Sequence, residues 1–204
     1  MTVFEKIITH FERFPGIGSR QAKRFAFHLL TLSEKEREEL AELIQSIRTH
    51  VVECPSCFRF HSSQKENSEC TICADTNRDQ QKITIVESDT DIDTIERSGI
   101  YNGLYFVLGG TIPLLNTPET KKIRSGALKN CIESKASDGL SEIILGFSVN
   151  PDGENTARYV EILLKEIVAK HPIKISHLGR GLSTGSELEY ADSETIKNAF
   201  KNRS

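Results

Sequence analysis

Four cysteines occur as two C-x-x-C pairs, an arrangement that is typical of a bound metal ion. Cys54 and Cys57 form the first pair, and Cys70 and Cys73 form the second, with twelve residues between the pairs. Each pair can bring two thiolates to the same side of a tight turn, so the two pairs together can surround one ion. A thioredoxin-like redox site needs only one such pair and leaves the second unexplained. The spacing therefore predicts one structural zinc ion per chain, with a closed coordination sphere that leaves no position for catalysis.

A glycine turn followed by basic residues forms the second pattern, and it resembles the helix-hairpin-helix motif of DNA-binding proteins. Within the turn P-G-I-G, Gly16 and Gly18 let the backbone approach a phosphate without an intervening Cβ. The helix that follows offers free N–H groups to an anion, and Arg20, Lys23 and Arg24 share one of its faces. These contacts predict sequence-independent, salt-sensitive binding to DNA phosphates. The alternative is a plain helical hairpin whose glycines serve only the turn.

Acidic residues after two predicted strands raise the question of metal-dependent phosphodiester chemistry. Toprim (topoisomerase–primase) domains hold Mg²⁺ with a Glu after the first strand and an Asp-x-Asp after a later one. Here Glu87 ends the first strand, and Asp152 and Glu154 follow a later strand, but no Asp-x-Asp occurs there. We therefore expect a degenerate, non-catalytic site. The alternative function is a Mg-dependent nuclease or strand-passing enzyme that uses Glu87 with Asp152 or Glu154.

The distribution of charge indicates that any contact with nucleic acid involves the N-terminal segment. The 204 residues have a net charge of −3, yet residues 1–30 carry five cations and two acids, so the remainder totals −6. No apolar run approaches the ~20 residues of a membrane span. The first residues are too charged for the apolar stretch of a signal peptide. We expect a cytoplasmic protein with reduced cysteines and no membrane association.

The hydrophobic spacing predicts a helical N-terminal region followed by an α/β region. Helices are expected over 3–14 and 19–32, and a third begins at a capping box formed by Ser33 and Glu36. Short strands then alternate with helices, which predicts a mostly parallel sheet covered on both faces. The strands are expected at 82–87, 104–110, 142–147 and 173–178, and the helices between and after them at 89–99, 119–135, 154–170 and from Asp192.

Two further helical features carry specific expectations. The third helix has an apolar stripe formed by Leu40, Leu43, Ile44 and Ile47. The helix at 89–99 begins with three aspartates, and we expect these acids to complement the helix dipole rather than to bind a metal. They are Asp89, Asp91 and Asp93.

Taken in order, these elements resemble the RecR family of bacterial recombination mediators. The resemblance extends over nearly the whole chain and implies four regions: a helix-hairpin-helix DNA-binding region (1–52), a C4 zinc finger (53–74), a Toprim domain (80–176) and a C-terminal assembly segment (177–204). The residues that carry it are F14-P-G-I-G18 with Arg20, Ala22 and Arg24, the four cysteines, I85-V-E87, I95-E-R-S-G99, V107-L-G-G110 and L188-E-Y-A-D192.

The resemblance also implies a function without enzymatic activity. Members of the family form a ring-shaped homotetramer around DNA and act with RecO, and in many bacteria with RecF, to load the RecA recombinase on single-stranded DNA. Carried over by position, Arg20 and Arg24 are the expected phosphate contacts, and Lys23 is a less regular one. His177 and Ser183 stand where the family usually has Arg and Pro, which affects expectations about ring contacts but not about the fold.

Overall fold

The computed structural model describes residues 1–62, 68–114, 123–179, 181–182, 185 and 187–202. The chain divides into two compact units, Met1–Val52 and Glu53–Ser204. Within the described residues, no helix is both long and apolar enough to cross a bilayer. The departure from the family pattern at position 183 lies outside the described residues.

The first unit consists of three helices whose starts follow from their capping residues. They are α1 (Val3–Glu12), α2 (Ser19–Thr31) and α3 (Glu34–His50). Thr2 with Glu5, and Ser33 with Glu36, form capping boxes at the starts of α1 and α3. The three predicted helices are therefore confirmed, and α1 ends two residues before the expected position.

The core of the first unit is thin. Only Ala22 and Ala26, both on α2, are buried in its helices. Two phenylalanine pairs flank these alanines, with ring centroids 5.0 Å apart for Phe4 and Phe27 and 5.8 Å apart for Phe11 and Phe25. The apolar stripe of α3 is present but exposed, since its four side chains are between 40% and 64% accessible to solvent: Leu40, Leu43, Ile44 and Ile47.

After two short strands, helices and strands alternate from residue 71 to residue 177, and from residue 82 onward this alternation confirms the predicted one. The remaining elements are β1 (Val51–Glu53), β2 (Phe60–Ser62), α4 (Thr71–Ala74), β3 (Asp79–Val86), α5 (Asp89–Ser98), β4 (Gly103–Val107), α6 (Ser125–Ser137), β5 (Glu142–Gly146), α7 (Pro151–Lys170), β6 (Lys174–His177), a 3₁₀ helix (Leu188–Tyr190) and α8 (Ser193–Lys201).

The second unit is built on a parallel sheet with the strand order β4-β3-β5-β6. Side chains of β3 and β4 alternate between the two faces, as expected for strands buried on both sides. On one face, Ile83, Ile85 and Phe106 pack with the apolar sides of α6 and α7. On the other, Val86 and Tyr105 pack with α5 and the cysteine-bearing segment.

Three element boundaries differ from the predicted ones for identifiable reasons. Helix α7 starts three residues early because Asn150 caps it and Pro151 occupies its first position. Strand β4 stops at Val107 because the next residues lead into glycines of positive φ, 90° at Gly109 and 147° at Gly110. Helix α6 starts at Ser125 rather than 119, since the Arg124 N–H donates to Leu108 O at 2.9 Å. Residues 119–122 lie outside the described part.

Candidate metal centre and nucleic-acid interface

The four predicted cysteines converge on one point. Their sulfur atoms all lie within 4.8 Å of one another, and Cys54, Cys57 and Cys70 are buried. The Sγ atoms of Cys57 and Cys70 are 3.6 Å apart, far beyond the ~2.05 Å of a disulfide. Four sulfurs arranged tetrahedrally at ~2.3 Å from a zinc ion lie about 3.8 Å from one another. The donor set and its spacing therefore fit a tetrahedral thiolate site, and the four cysteines can hold a metal ion.

The cluster is electrostatically unfavourable without a cation. Hydrogen bonds with neighbouring cysteine sulfurs, together with burial, raise the pKa of the Cys57 and Cys73 thiols. Hydrogen bonds from those cysteines lower the pKa of Cys70. One sulfur can thus ionise while its neighbours stay protonated, because adjacent thiolates repel one another in a site that water cannot screen. A divalent cation removes this repulsion, so metal binding and loss of the thiol protons are coupled.

Backbone hydrogen bonds shape the first cysteine pair into a tight turn. The Cys54 N–H donates to Arg59 O at 2.8 Å, and the Phe58 N–H donates to Cys54 O at 2.9 Å. The Cys70 N–H donates to the Cys54 sulfur at 3.4 Å, which joins the two pairs. Phe58, directly after the second cysteine, has a φ of 63°, a conformation that costs a residue with a Cβ about 1–2 kcal/mol.

The Phe58 ring and the adjacent backbone attach the metal centre to the sheet. The Val107 N–H donates to Cys57 O at 2.8 Å. The Phe58 ring packs against Phe106 with a centroid distance of 5.3 Å, and the Arg124 guanidinium lies over the Phe58 ring, 5.3 Å from its centroid. Arg124 also pairs with Glu53 and donates to Val107 O at 3.2 Å. Sequence patterns did not indicate a role for Arg124.

Two of the three aspartates at the start of α5 dock the cysteine-bearing segment. Asp89 Oδ1 accepts from the Phe60 N–H at 2.7 Å, and Asp93 pairs with Arg59 at 2.7 Å. Asp91 instead accepts from the Ser88 N–H at 2.8 Å, as a capping residue of α5. The acids in the first turn of α5 complement the helix dipole, as expected, and Asp89 and Asp93 also hold the cysteine-bearing segment.

The glycine hairpin leaves the start of α2 open. The Ile17 N–H donates to Phe14 O at 3.1 Å to close the turn, and Gly16 has a φ of +75°. Gly18 caps α2 without a side-chain hydrogen bond, and no acid lies in the first turn. A Cβ at Gly18 would meet no atom within 4 Å. In the described part of the chain, neither a neighbouring atom nor a positive φ requires glycine at this position.

The three predicted DNA-contacting cations are solvent-exposed on α2. Arg24 makes a long hydrogen bond of 3.4 Å to Gln21. In the part of the chain that the structure describes, Arg20, Lys23 and Arg24 form no ion pair. Their charges are therefore available to an external polyanion.

The predicted Toprim acids are not part of a group of three or more metal-binding side chains. Among the described residues, only the four cysteines form such a group. Asp152 Oδ1 accepts from the Leu114 N–H at 3.0 Å, so this carboxylate anchors the segment before residue 115. Glu87 is half-buried at the end of β3, and burial, followed by the charges of Asp91 and Asp152, raises its pKa. Glu154 is half-buried on the first turn of α7.

Comparison with known proteins identifies three successive family matches. Residues 4–48 match the family described as RecR, helix-hairpin-helix, residues 81–179 match the Toprim domain, and residues 181–204 match RecR, C-terminal. Recombination protein RecR of Rubrobacter xylanophilus is 37% identical over 199 residues, which covers 98% of this chain and 94% of the relative. The Staphylococcus aureus protein of the same name is 37% identical over 198 residues, covering 97% and 94%. That of Bifidobacterium longum is 36% identical over 200 residues, covering 98% and 94%.

Proposed function

This chain belongs to the RecR family of recombination proteins, and we propose that it is a non-enzymatic DNA clamp and mediator in recombinational repair. Membership of the family supports a role in recombination and repair of DNA. The proposed mechanism is a grip on the sugar–phosphate backbone by the hairpin and the face of α2 that follows it. Arg20 and Arg24 are the principal phosphate contacts, Lys23 contributes less, and Gly16 and Gly18 allow the close approach.

The open start of α2 is the observation that carries this proposal. The starts of α1, α3 and α7 each have a side-chain cap and acids in the first turn, whereas α2 and α6 have neither. At the start of α6, however, the capping residue Arg124 is paired with Glu53, whereas the cations of α2 form no ion pair among the described residues. An uncapped helix start with three exposed cations on the following turns is suited to bind phosphate groups. A plain turn would not need this combination.

One hairpin offers only a few phosphate contacts, so the proposed clamp depends on several copies acting on one DNA. The exposed stripe of α3 supports self-association, because a monomer gains nothing from leaving four large aliphatic side chains in water. The C-terminal segment also exposes apolar side chains, with Leu188 at 64% and Tyr190 at 80%. We propose a homo-oligomer, in the form of the family's tetrameric ring.

The remaining parts of the proposal concern the metal, the acids and the partners. The ion held by Cys54, Cys57, Cys70 and Cys73 is zinc, and its role is structural because four thiolates leave no open position. The missing Asp-x-Asp and the use of Asp152 to hold the Leu114 N–H favour a binding role for the Toprim domain over catalysis. RecO, and RecF where it is present, are the proposed partners in loading RecA. The family resemblance supports these partners and a cytoplasmic location.

The proposed domain boundaries follow the same resemblance. The helix-hairpin-helix region spans 1–52, the zinc finger 53–74, the Toprim domain 80–176 and the C-terminal segment 177–204. His177 forms a 2.9 Å contact with Glu161 at the end of β6.

Two experiments test the function. Sizing of the zinc-loaded full chain, with and without gapped duplex DNA, is expected to give an oligomer that co-migrates with the DNA; a monomer that leaves the DNA free would contradict the clamp. A nicking assay on supercoiled plasmid with Mg²⁺ or Mn²⁺ is expected to give no cleavage. Cleavage that disappears in Glu87→Ala, but persists in Glu133→Ala on the exposed side of α6, would establish the nuclease alternative instead.

A further inference from the structure

We propose that the Phe14 side chain contacts a nucleobase, stacking on an unpaired base of the strand whose phosphates lie at the hairpin. This inference rests on the proposed DNA-binding function and adds to it a contact of a different chemical kind. It gives the hairpin a preference for single-stranded segments, which phosphate contacts alone do not supply.

The backbone of Phe14 is fixed directly beside the proposed phosphate site. Its N–H donates to Phe11 O at 3.1 Å, and its carbonyl oxygen accepts from the Ile17 N–H at 3.1 Å. Pro15 further restricts the conformation of the residue before it. Phe14 is therefore the first residue of the closed turn that contains Gly16, and a ligand at the turn meets the ring without first having to order the backbone.

The ring itself is available for contact. It is 56% exposed, and its described aromatic neighbour is Phe11, at a centroid distance of 5.8 Å and an interplanar angle of 65°. Such an edge contact supports the ring without covering both of its faces. The exposed part of the ring adds little to the stability of the fold, and it is free to contact a ligand at the turn.

The charge of the surrounding segment favours a nucleic acid as that ligand. Between residues 13 and 24 there are four cations and no acid. A surface that combines an exposed aromatic ring with cations suits single-stranded nucleic acid, whose bases are free to stack while its phosphates are neutralised. In a duplex the bases are already stacked, and the ring has no partner.

Two alanine variants of the full chain test this contact by affinity. Phe14→Ala is expected to lower affinity for a single-stranded or gapped DNA by about five- to 100-fold. It should leave affinity for a blunt duplex, and the dependence of binding on salt, unchanged, because stacking releases no counterions. Phe27→Ala is the matched control, since that ring is 58% exposed in the same unit and packs against Phe4 at the start of α1, whereas the hairpin follows the end of α1. Equal losses on both DNAs, or no loss on either, would overturn the proposal.

A tryptophan variant reports on the ring directly and distinguishes DNA from a second copy of the chain. The chain contains no tryptophan, so Phe14→Trp introduces one fluorophore, which keeps an aromatic ring at the turn. Stacking on a base should quench its emission when an oligothymidine strand is added, and dilution without DNA should leave the emission unchanged. A change on dilution instead places the ring between protein copies and overturns the inference. DNA binding without quenching overturns only the stacking, whereas failure of the unmodified chain to bind DNA contradicts the proposed function.

Discussion

The backbone N–H of Val107 donates to the carbonyl oxygen of Cys57 at 2.8 Å, so the metal centre and the parallel sheet share a direct hydrogen bond. Val107 is 2% exposed and belongs to the same apolar cluster as Cys54, Cys57 and Cys70. The metal centre is therefore part of the core of the second unit. Because only a bound cation allows all four sulfurs to ionise and to bond to one centre, the stability of this face of the sheet depends on the ion.

Removal of the metal is expected to destabilise the second unit as a whole. Chelation, or Cys57→Ser, should lower the urea midpoint of unfolding, because the binding free energy of a structural zinc ion is also folding free energy. Elemental analysis should find one zinc per unmodified chain. Cys131→Ser is the control, since Cys131 is a half-buried cysteine of α6 outside the metal group. A Cys57→Ser protein that retained full zinc and an unchanged midpoint would refute this role.

The left-handed backbone conformation of Phe58 predicts how substitutions at this position change the stability of the second unit. Phe58→Ala and Phe58→Gly both lose the ring that packs on Phe106, so both should be less stable than the parent. Alanine keeps the cost of a φ of 63°, whereas glycine does not, so the glycine variant should be more stable than the alanine variant by about 1 kcal/mol. Urea unfolding of the three proteins measures the order. An alanine variant as stable as the glycine variant would contradict the assigned strain.

The sequence was sufficient for features that depend on local spacing. The C-x-x-C pairs predicted the cysteine group because their spacing places two sulfurs on the same side of one tight turn. The alternation of strands and helices predicted the sheet because hydrophobic spacing reflects the local conformation of each segment. The contacts of Asp89 and Asp93 with the cysteine-bearing segment were not predicted. Their partners lie 29 and 34 residues away in the sequence, and no repeating spacing connects residues so far apart. The period of α3 predicted a stripe around Ile44, but periodicity does not say whether a stripe faces the chain's own core or another molecule.

Replacement of the hairpin arginines is expected to remove most DNA binding. Arg20→Ala with Arg24→Ala should weaken binding to duplex and single-stranded DNA alike, since both cations contact phosphates. The slope of log affinity against log salt should fall by about 0.9 for each duplex phosphate that the double variant no longer neutralises. Arg48→Ala, which removes an exposed cation of α3 in the same unit, is the control. Salt-titrated fluorescence anisotropy gives both quantities, and an affinity retained by the double variant would count against the hairpin.

Disruption of the α3 stripe should separate self-association from the DNA contacts themselves. Ile44→Glu places a charge on the 64%-exposed stripe residue, which disfavours packing against another copy while sparing the chain's own core. The variant should shift to a smaller species in light scattering and bind DNA about 100-fold or more weakly, because a smaller species is less multivalent. Gln45→Glu adds the same charge at an exposed position of α3 outside the apolar stripe and should retain both properties. An unchanged mass for Ile44→Glu would exclude the stripe as an interface.

The raised pKa of Glu87 predicts how stability changes with pH. Burial and the nearby charges of Asp91 and Asp152 disfavour the ionised form in the folded chain. As pH rises above the ordinary value of 4.5, the unfolded chain loses the Glu87 proton before the folded chain does, so the folded state becomes relatively less stable until its own pKa is passed.

Glu87→Gln removes this cost and should therefore be more stable than the parent at pH 7, with an advantage that shrinks as the pH falls towards 4.5 and is absent below it. Thermal unfolding across this range measures the difference, and Glu133→Gln on the exposed side of α6 provides the matched control. If Glu87 instead served as a bound-metal ligand, Mg²⁺ would stabilise the parent but not Glu87→Gln, and the order of stability at pH 7 would reverse. Comparing the stability of the two proteins at pH 7 with and without Mg²⁺ thus distinguishes a desolvated, unused carboxylate from the remnant of a working metal site.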